Sequence, residues 1–399
     1  MTHVDQYGLE FTTDSTEAAD AYVDGLDLFL RNRIDAAPRL SRALELDPRF
    51  AMARAALAFL LQLQEDATTP VAQILLAAQH ATHATRRERQ FIDALRRAMA
   101  GDVPTASDMI SAHLDEYPRD VLMLREHLLL QNFGGDVRRK EAIAAELSGL
   151  APHFGDDPWF LGVYSFALSE TGDVIAAGRM ATAGLAAHPD HSVLAHSVAH
   201  TQFERGDDAS ARDFLDGWLA DYGDTVVSAG HMAWHLALAH LALSEPDRAV
   251  ALFRHQKDAG PALGFAREDA ISLLWRLQLR GVDVSNEWSE LLERPPSGGP
   301  RRAFELAHLA FALAGLGDDA GLQRLATQAQ QEAVAHPHQP FGALLPVIEA
   351  LRLIAADQWS EALPILEVAA AAMRRLGGSN EQHTIIDETI AYASKPRVS

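Results

Sequence analysis

Residues 158–191 read PWFLGVYSFALSETGDVIAAGRMATAGLAAHPDH, and residues 192–225 read SVLAHSVAHTQFERGDDASARDFLDGWLADYGDT. Each stretch sets a Gly-Asp pair, Gly172-Asp173 or Gly206-Asp207, between two apolar, Ala-rich runs, and the pairs stand 206 − 172 = 34 residues apart. Small residues recur at matching places: Ser165, Ala177 and Gly184 in the first stretch, Ala199 and Ala211 in the second, with Pro189 closing the first. Two helices approach to about 8 Å only where side chains are small, and a proline stops one helix before the next begins. The pattern predicts stacked helical hairpins.

A period of about 34 residues is that of the tetratricopeptide repeat. Working outward, a third unit starts near Gly230, with Ala237 and Ala249 as its small positions and Ser244-Glu-Pro-Asp247 as its turn. A looser unit surrounds Gly317-Asp318, and Gly101-Asp102 lies 172 − 101 = 71 residues before Gly172. Asp14 and Glu17 are expected to cap a first helix, and Asp47-Pro48 to end a second. The Asp207-Asp208 and Asp318-Asp319 pairs are expected to cap the helices that follow them. Residues 293–302, ERPPSGGPRR, are expected to form an exposed loop. Helical units on both sides make that loop a connection inside the array, not a boundary. The expected fold is a single all-α, tetratricopeptide-like helical-hairpin superhelix, an α-solenoid, over residues 1–399.

Composition agrees. Hydrophobic residues make up 48% of the chain and aromatics only 7%, so Ala and Leu carry the apolar content, as close-packed helices require. A net charge of -21 with no basic stripe argues against nucleic acid as a partner. The chain has no cysteine, which excludes disulfides, thiolate metal ligands and a cysteine nucleophile. Met1-Thr-His-Val-Asp-Gln-Tyr7 lacks the basic-then-apolar order of a leader, and no uncharged apolar run reaches the ~18 residues of a membrane span. No membrane association is expected, and the expected location is cytoplasmic.

The candidate site lies in the stretches that set the fold. His196/His200 and His231/His235 are two His-x-x-x-His pairs, each in the first helix of its unit. With 18 histidines, chance supplies about 0.8 such pairs, so their number carries no information. Their placement does. In a tetratricopeptide unit, positions 2, 5, 9, 12 and 13 of the first helix face the concave side. His196 and His200 fall at positions 5 and 9, His231 and His235 at 2 and 6, and Glu170 and Glu204 at 13. Imidazoles four residues apart share one helix face and can share one metal ion or anionic ligand. Neither pair carries the Glu that follows the first His of a zinc protease helix, so that activity is rejected. Trp234, Trp275 and Trp288 read as core, and Gly377-Gly378-Ser379 as a helix stop and restart.

Several segments together resemble the tetratricopeptide repeat protein 38 family, from Tyr7-Gly8 to about Ala391. They are Ala18-Ala-Asp-Ala-Tyr-Val-Asp-Gly25, Arg87-Glu-Arg89 with Gly101-Asp102, His196-Ser-Val-Ala-His200, Gly230-His-Met-Ala-Trp-His-Leu-Ala-Leu238, Asp269-Ala-Ile-Ser-Leu-Leu-Trp-Arg-Leu277 and Gly377-Gly-Ser379. The resemblance implies histidines at His196, His200, His231, His235 and His308 as a shared feature, without supplying a chemistry. The chain departs from the family at Leu306, where an Asp is usual, and at Gln382-His383-Thr384, where Gln-Arg-Asp is usual.

Two functions compete. In the first, the concave groove, with His196, His200, His231, His235, His308, Trp234, Glu170 and Glu204 on its wall, binds a protein or peptide partner. In the second, the groove closes over a small molecule, and His196, His200, His231 and His235 hold a divalent transition metal or act as acid and base. The sequence commits to no cofactor, catalytic residue or oligomeric state. An open groove would favour the first reading, a sealed one the second.

Overall fold

In the computed structural model, which describes residues 1–64, 69–258, 266–292 and 302–395, the chain forms 21 α-helices among those residues. The hairpin units fall where the sequence places them. Pro158–Glu170 pairs with Val174–Ala187, Ser192–Phe203 with Asp208–Tyr222, Ala229–Ala242 with Pro246–Asp258, and Arg302–Gly315 with Asp319–Ala335. The fold is an all-α, tetratricopeptide-like solenoid.

The Gly-Asp signal works through two local devices. Gly172, Gly206 and Gly317 adopt φ of +93°, +67° and +71°, a left-handed conformation that only glycine enters without strain. The aspartate that follows each then caps the next helix. Asp173 accepts from Ala176 N at 3.2 Å, Asp207 from Ser210 N at 3.1 Å and Asp318 from Gly321 N at 2.8 Å. Each such cap contributes about 1 kcal/mol. Small residues set the spacing between layers. A Cβ on Gly162 would stand 2.8 Å from Val193, and one on Gly184 2.7 Å from Leu194, so successive hairpins touch backbone to side chain there.

Apolar burial follows chain order, as a repeat array requires. One buried cluster runs from Tyr7 to Ala167, a second from Ala195 to Ala239 and a third from Ala233 to Ala393. Trp234, Trp275 and Trp288 are all buried.

Long-range contacts then close the superhelix on itself. Arg139, from the Arg139–Phe154 helix, donates to the backbone carbonyls of Arg374 and Gly378, Lys140 donates to Asn380 Oδ1, and the Phe133 ring packs on Phe304 at 5.7 Å. On another side, Arg31 pairs with Asp190, Asn32 Nδ2 donates to Ser192 Oγ at 3.1 Å, and Val227 N donates to Asn32 O at 2.8 Å.

Three details depart from expectation. Residues Thr2–Val4 and Glu10–Thr12 form a short antiparallel hairpin, too brief to leave a periodic signal. Ser15, not Asp14, caps the first helix, accepting from Ala18 N at 3.1 Å, while Asp14 pairs with the N-terminal amine. The expected loop at 293–302 lies outside the described residues except for Arg302, which opens the Arg302–Gly315 helix.

Candidate functional site

The hairpin stacking turns two i,i+4 pairs into one cluster. His196 and His200 lie on the Ser192–Phe203 helix, and His231 and His235 on the Ala229–Ala242 helix one unit on. Equivalent faces of successive first helices meet, and the imidazoles converge by their Nε2 atoms. His196 Nε2 stands 3.1 Å from His231 Nε2, 3.3 Å from His235 Nε2 and 3.1 Å from His200 Nε2, and His231 Nε2 stands 3.2 Å from His235 Nε2. His196, His231 and His235 form the compact set, their ligand atoms all within 4.8 Å of one another. His200 stands one step back, its ring edge-on to His235 with centroids 4.6 Å apart.

Two of the outer nitrogens, those of His231 and His200, face carboxylates. Asp269, on the Arg267–Leu279 helix, lies 2.8 Å from His231 Nδ1. The pair fixes Nδ1 as a donor and turns His231 Nε2 toward His196 and His235. Glu170 Oε1 lies 3.5 Å from His200 Nδ1, and its other oxygen accepts from Lys140 Nζ at 2.7 Å and Asn380 N at 2.9 Å. Burial disfavours charge on Glu170, yet the His200 and Lys140 partners outweigh it and hold the carboxyl below the usual glutamate range. Burial, reinforced by the neighbouring imidazoles, holds His196 and His235 well below the ordinary histidine value. Both rings are therefore neutral at pH 7.

His196 Nε2 faces three other Nε2 atoms, and a single N–H can point at only one of them. A cation among the four would let every Nε2 lone pair point inward. The edges of the triangle, 3.1 to 3.3 Å, match the ~3.3 Å edge of a tetrahedron whose centre-to-corner distance is the ~2.0 Å of a zinc–imidazole bond.

A roof covers the cluster. After Gly377 and Gly378, both left-handed at φ +99° and +87°, Ser379 caps the Asn380–Ala393 helix in a capping box with Gln382. Asn380 bonds down onto Glu170 and, through Nδ2, onto Glu204 Oε1 at 2.7 Å. Asn132, Lys140 and Ile143 close the side, leaving a pocket of about 110 Å³ bounded by His196, His200, His231, Gly378, Ser379 and Gln382. The roof narrows the groove over the histidines and leaves His231 partly exposed, its side chain 30% accessible.

The other sequence candidates fall outside the set of imidazoles. Glu204 belongs to the roof contact, not to the cluster. Trp234 is buried and packs on His231 at 5.5 Å and on His235 at 4.7 Å, walling the site from below. His308 donates from Nδ1 to Phe304 O at 3.0 Å, and burial lowers its pKa to about 4. Sequence reasoning missed Asp269, Lys140, Asn132 and Gln382 as site residues. Asp269 and the Gly377-Gly-Ser379 turn do lie in segments that carry the family resemblance.

No family model matches the chain. Among solved structures, yeast Tom70 is similar over 94% of this chain and 88% of its own, at 10% identity and a TM-score of 0.46. The structure of Naa15/Naa10 bound to HypK-THB is similar over 95% of this chain, at 13% identity and a TM-score of 0.28, with this chain spanning 60% of that one. The P58(IPK) TPR domain is similar over 95% of this chain and 97% of its own, at 12% identity and a TM-score of 0.23. No helix among the described residues is long and apolar enough to cross a membrane. The fold assignment rests on the hairpins themselves, a tetratricopeptide-like solenoid closed around a histidine-lined pocket.

Proposed function

We propose that this protein binds one divalent transition metal ion on His196, His231 and His235 and presents its open coordination position to a small ligand in the adjoining pocket. The observation that carries the reading is the meeting of Nε2 atoms 3.1 to 3.3 Å apart. Structural histidines in a protein core spend their ring nitrogens on oxygens, whereas a metal asks for converging nitrogen lone pairs. The Asp269–His231 pair adds support, because ligating histidines almost always donate their second N–H to a carboxylate or carbonyl. Three imidazoles and no thiolate suit zinc and its neighbours in the first transition row.

The narrowed groove supports a small ligand, because the pocket beside the histidines is only about 110 Å³. Kinship with the tetratricopeptide repeat protein 38 family belongs to the same reading. Four segments that carry the resemblance, around His196, Gly230, Asp269 and Gly378, converge on this pocket.

Elemental analysis and calorimetric titration of the purified protein with zinc, after chelator treatment, test the proposal. One equivalent bound by the native chain and none by a His196→Ala/His235→Ala variant of unchanged helicity is expected. A native chain that takes up no zinc, cobalt, nickel or iron would sink it.

A further inference from the structure

Resting on that metal reading, we infer that the pocket takes a small aliphatic carboxylate, with one oxygen on the metal and the other on Lys140, Gln382 and Asn132. The inference comes from counting which hydrogen-bonding groups around the pocket are already spent. Most of the acceptors are spent. Asn132 Oδ1 accepts from Arg139 Nε at 3.2 Å, Gln382 Oε1 from Ser379 N at 3.1 Å, and Ser379 Oγ from Gln382 N at 3.2 Å. Glu170 Oε2 takes Lys140 Nζ and Asn380 N, and Glu170 Oε1 faces His200.

Donors are what remain. An ammonium has three N–H groups, and Lys140 spends two, on Glu170 and on Asn380 Oδ1. The Asn132 and Gln382 amides have their oxygens engaged, which turns their NH₂ groups outward as donors. A pocket that offers a cationic Lewis acid, an ammonium and two amide N–H groups, with Glu170 Oε1 turned to His200 at 3.5 Å as its loosely held acceptor, favours an acceptor-only ligand group, and a carboxylate is that group.

Apolar neighbours favour carboxylate over a bare inorganic anion. Ile143, Phe166 and Ala167 line the same space and would be left facing a hydrated ion if no carbon chain covered them. The volume of about 110 Å³ has room for roughly seven to ten water-sized groups, enough for a short chain and too little for a nucleotide or a peptide.

Cobalt(II)-loaded full-length protein, read by visible absorption, tests the inference, because the spectrum of the ion reports its ligands. Titration with butyrate should change the spectrum saturably, while butanol and butylammonium should not. Lys140→Met and Gln382→Leu should each weaken butyrate about tenfold, the loss of one charge-assisted hydrogen bond, with cobalt still bound at one equivalent. Two substitutions on separate helices guard against a single misfolded variant. Cobalt uptake with no butyrate response would overturn the carboxylate and leave the metal reading standing. Inorganic phosphate binding more tightly than butyrate would also overturn it. Failure to take up cobalt would end both.

Discussion

Two histidine networks among the described residues spend their nitrogens differently. In the N-terminal third, His113 lies between Gln90 Oε1 at 2.9 Å and Asp120 Oδ2 at 3.0 Å, and Arg87 Nε reaches the same Asp120 oxygen at 2.6 Å. Both ring nitrogens of His113 meet oxygens, and the network ties the helix Arg86–Met99 to Val103–Glu116 and Val121–Phe133. In the second network the inner nitrogens of four rings meet only one another, and the carboxylates stand outside at Asp269 and Glu170. His113 and Asp120 are fully buried, as are His200 and His235, while His196 and His231 are partly exposed. What separates His113 from the four converging rings is where the second nitrogen points.

The largest effect that sharpens this contrast belongs to the first network. Arg87→Ala leaves Asp120 buried without its cation, which costs about 3–5 kcal/mol. Urea denaturation should show that loss, while zinc stoichiometry stays at its native value. If Arg87→Ala abolished metal uptake in protein that remained folded, the two networks would not be separate devices.

Next in size is the metal itself. A ligand that binds only the folded chain stabilises it by about 2.7 kcal/mol at a free concentration of 100 times its Kd. Zinc should therefore shift the urea midpoint of the native chain upward and leave that of His196→Ala/His235→Ala in place. Equal shifts in both would place the ion elsewhere.

Acid offers a third separation. His308 has a folded pKa of about 4, because burial disfavours its charge, against 6.5 unfolded. A depressed histidine binds its proton more readily when unfolded, so its stabilising contribution is complete above pH 6.5 and is lost as pH falls through 4. At pH 5 the loss is about 2 kcal/mol, at ~1.4 kcal/mol per unit. Asp120 is also depressed, since Arg87 and His113 outweigh its burial, but its contribution begins to fail only below 3.8. Stability curves between pH 7 and 5 should thus be flatter in His308→Gln than in the native chain. Identical slopes would remove His308 as an acid-sensitive group.

These contrasts also explain what the sequence discloses. The solenoid is legible because each hairpin is specified locally, by a left-handed glycine, a capping aspartate and small residues at fixed offsets. The four imidazoles are legible for the same reason, since register within a unit and stacking between neighbouring units decide which faces meet. Asp269 reaches His231 from the next unit, 269 − 231 = 38 residues on, and escapes notice because its position matters only once the layers are stacked. Lys140 and Gln382 are harder still, being brought together by closure of the superhelix, which no local pattern encodes. The N-terminal hairpin is invisible because three residues per strand leave no periodicity.

The smallest effect concerns Asp269, and it separates a ligand from the group that orients it. Asn in its place keeps the shape and can still accept from His231 Nδ1, so the ring should stay where it is. What disappears is the negative charge that makes the imidazole a better donor to a cation. Zinc affinity should fall about tenfold, or about 1.4 kcal/mol, with stoichiometry unchanged. Asp269→Ala should lose more, because the ring is then free to turn its nitrogens away from the cluster. If Asn and Ala at this position bound zinc as tightly as the native chain, the Asp269–His231 contact would serve packing alone. The likeness between the two buried networks would then be closer than their nitrogen contacts suggest.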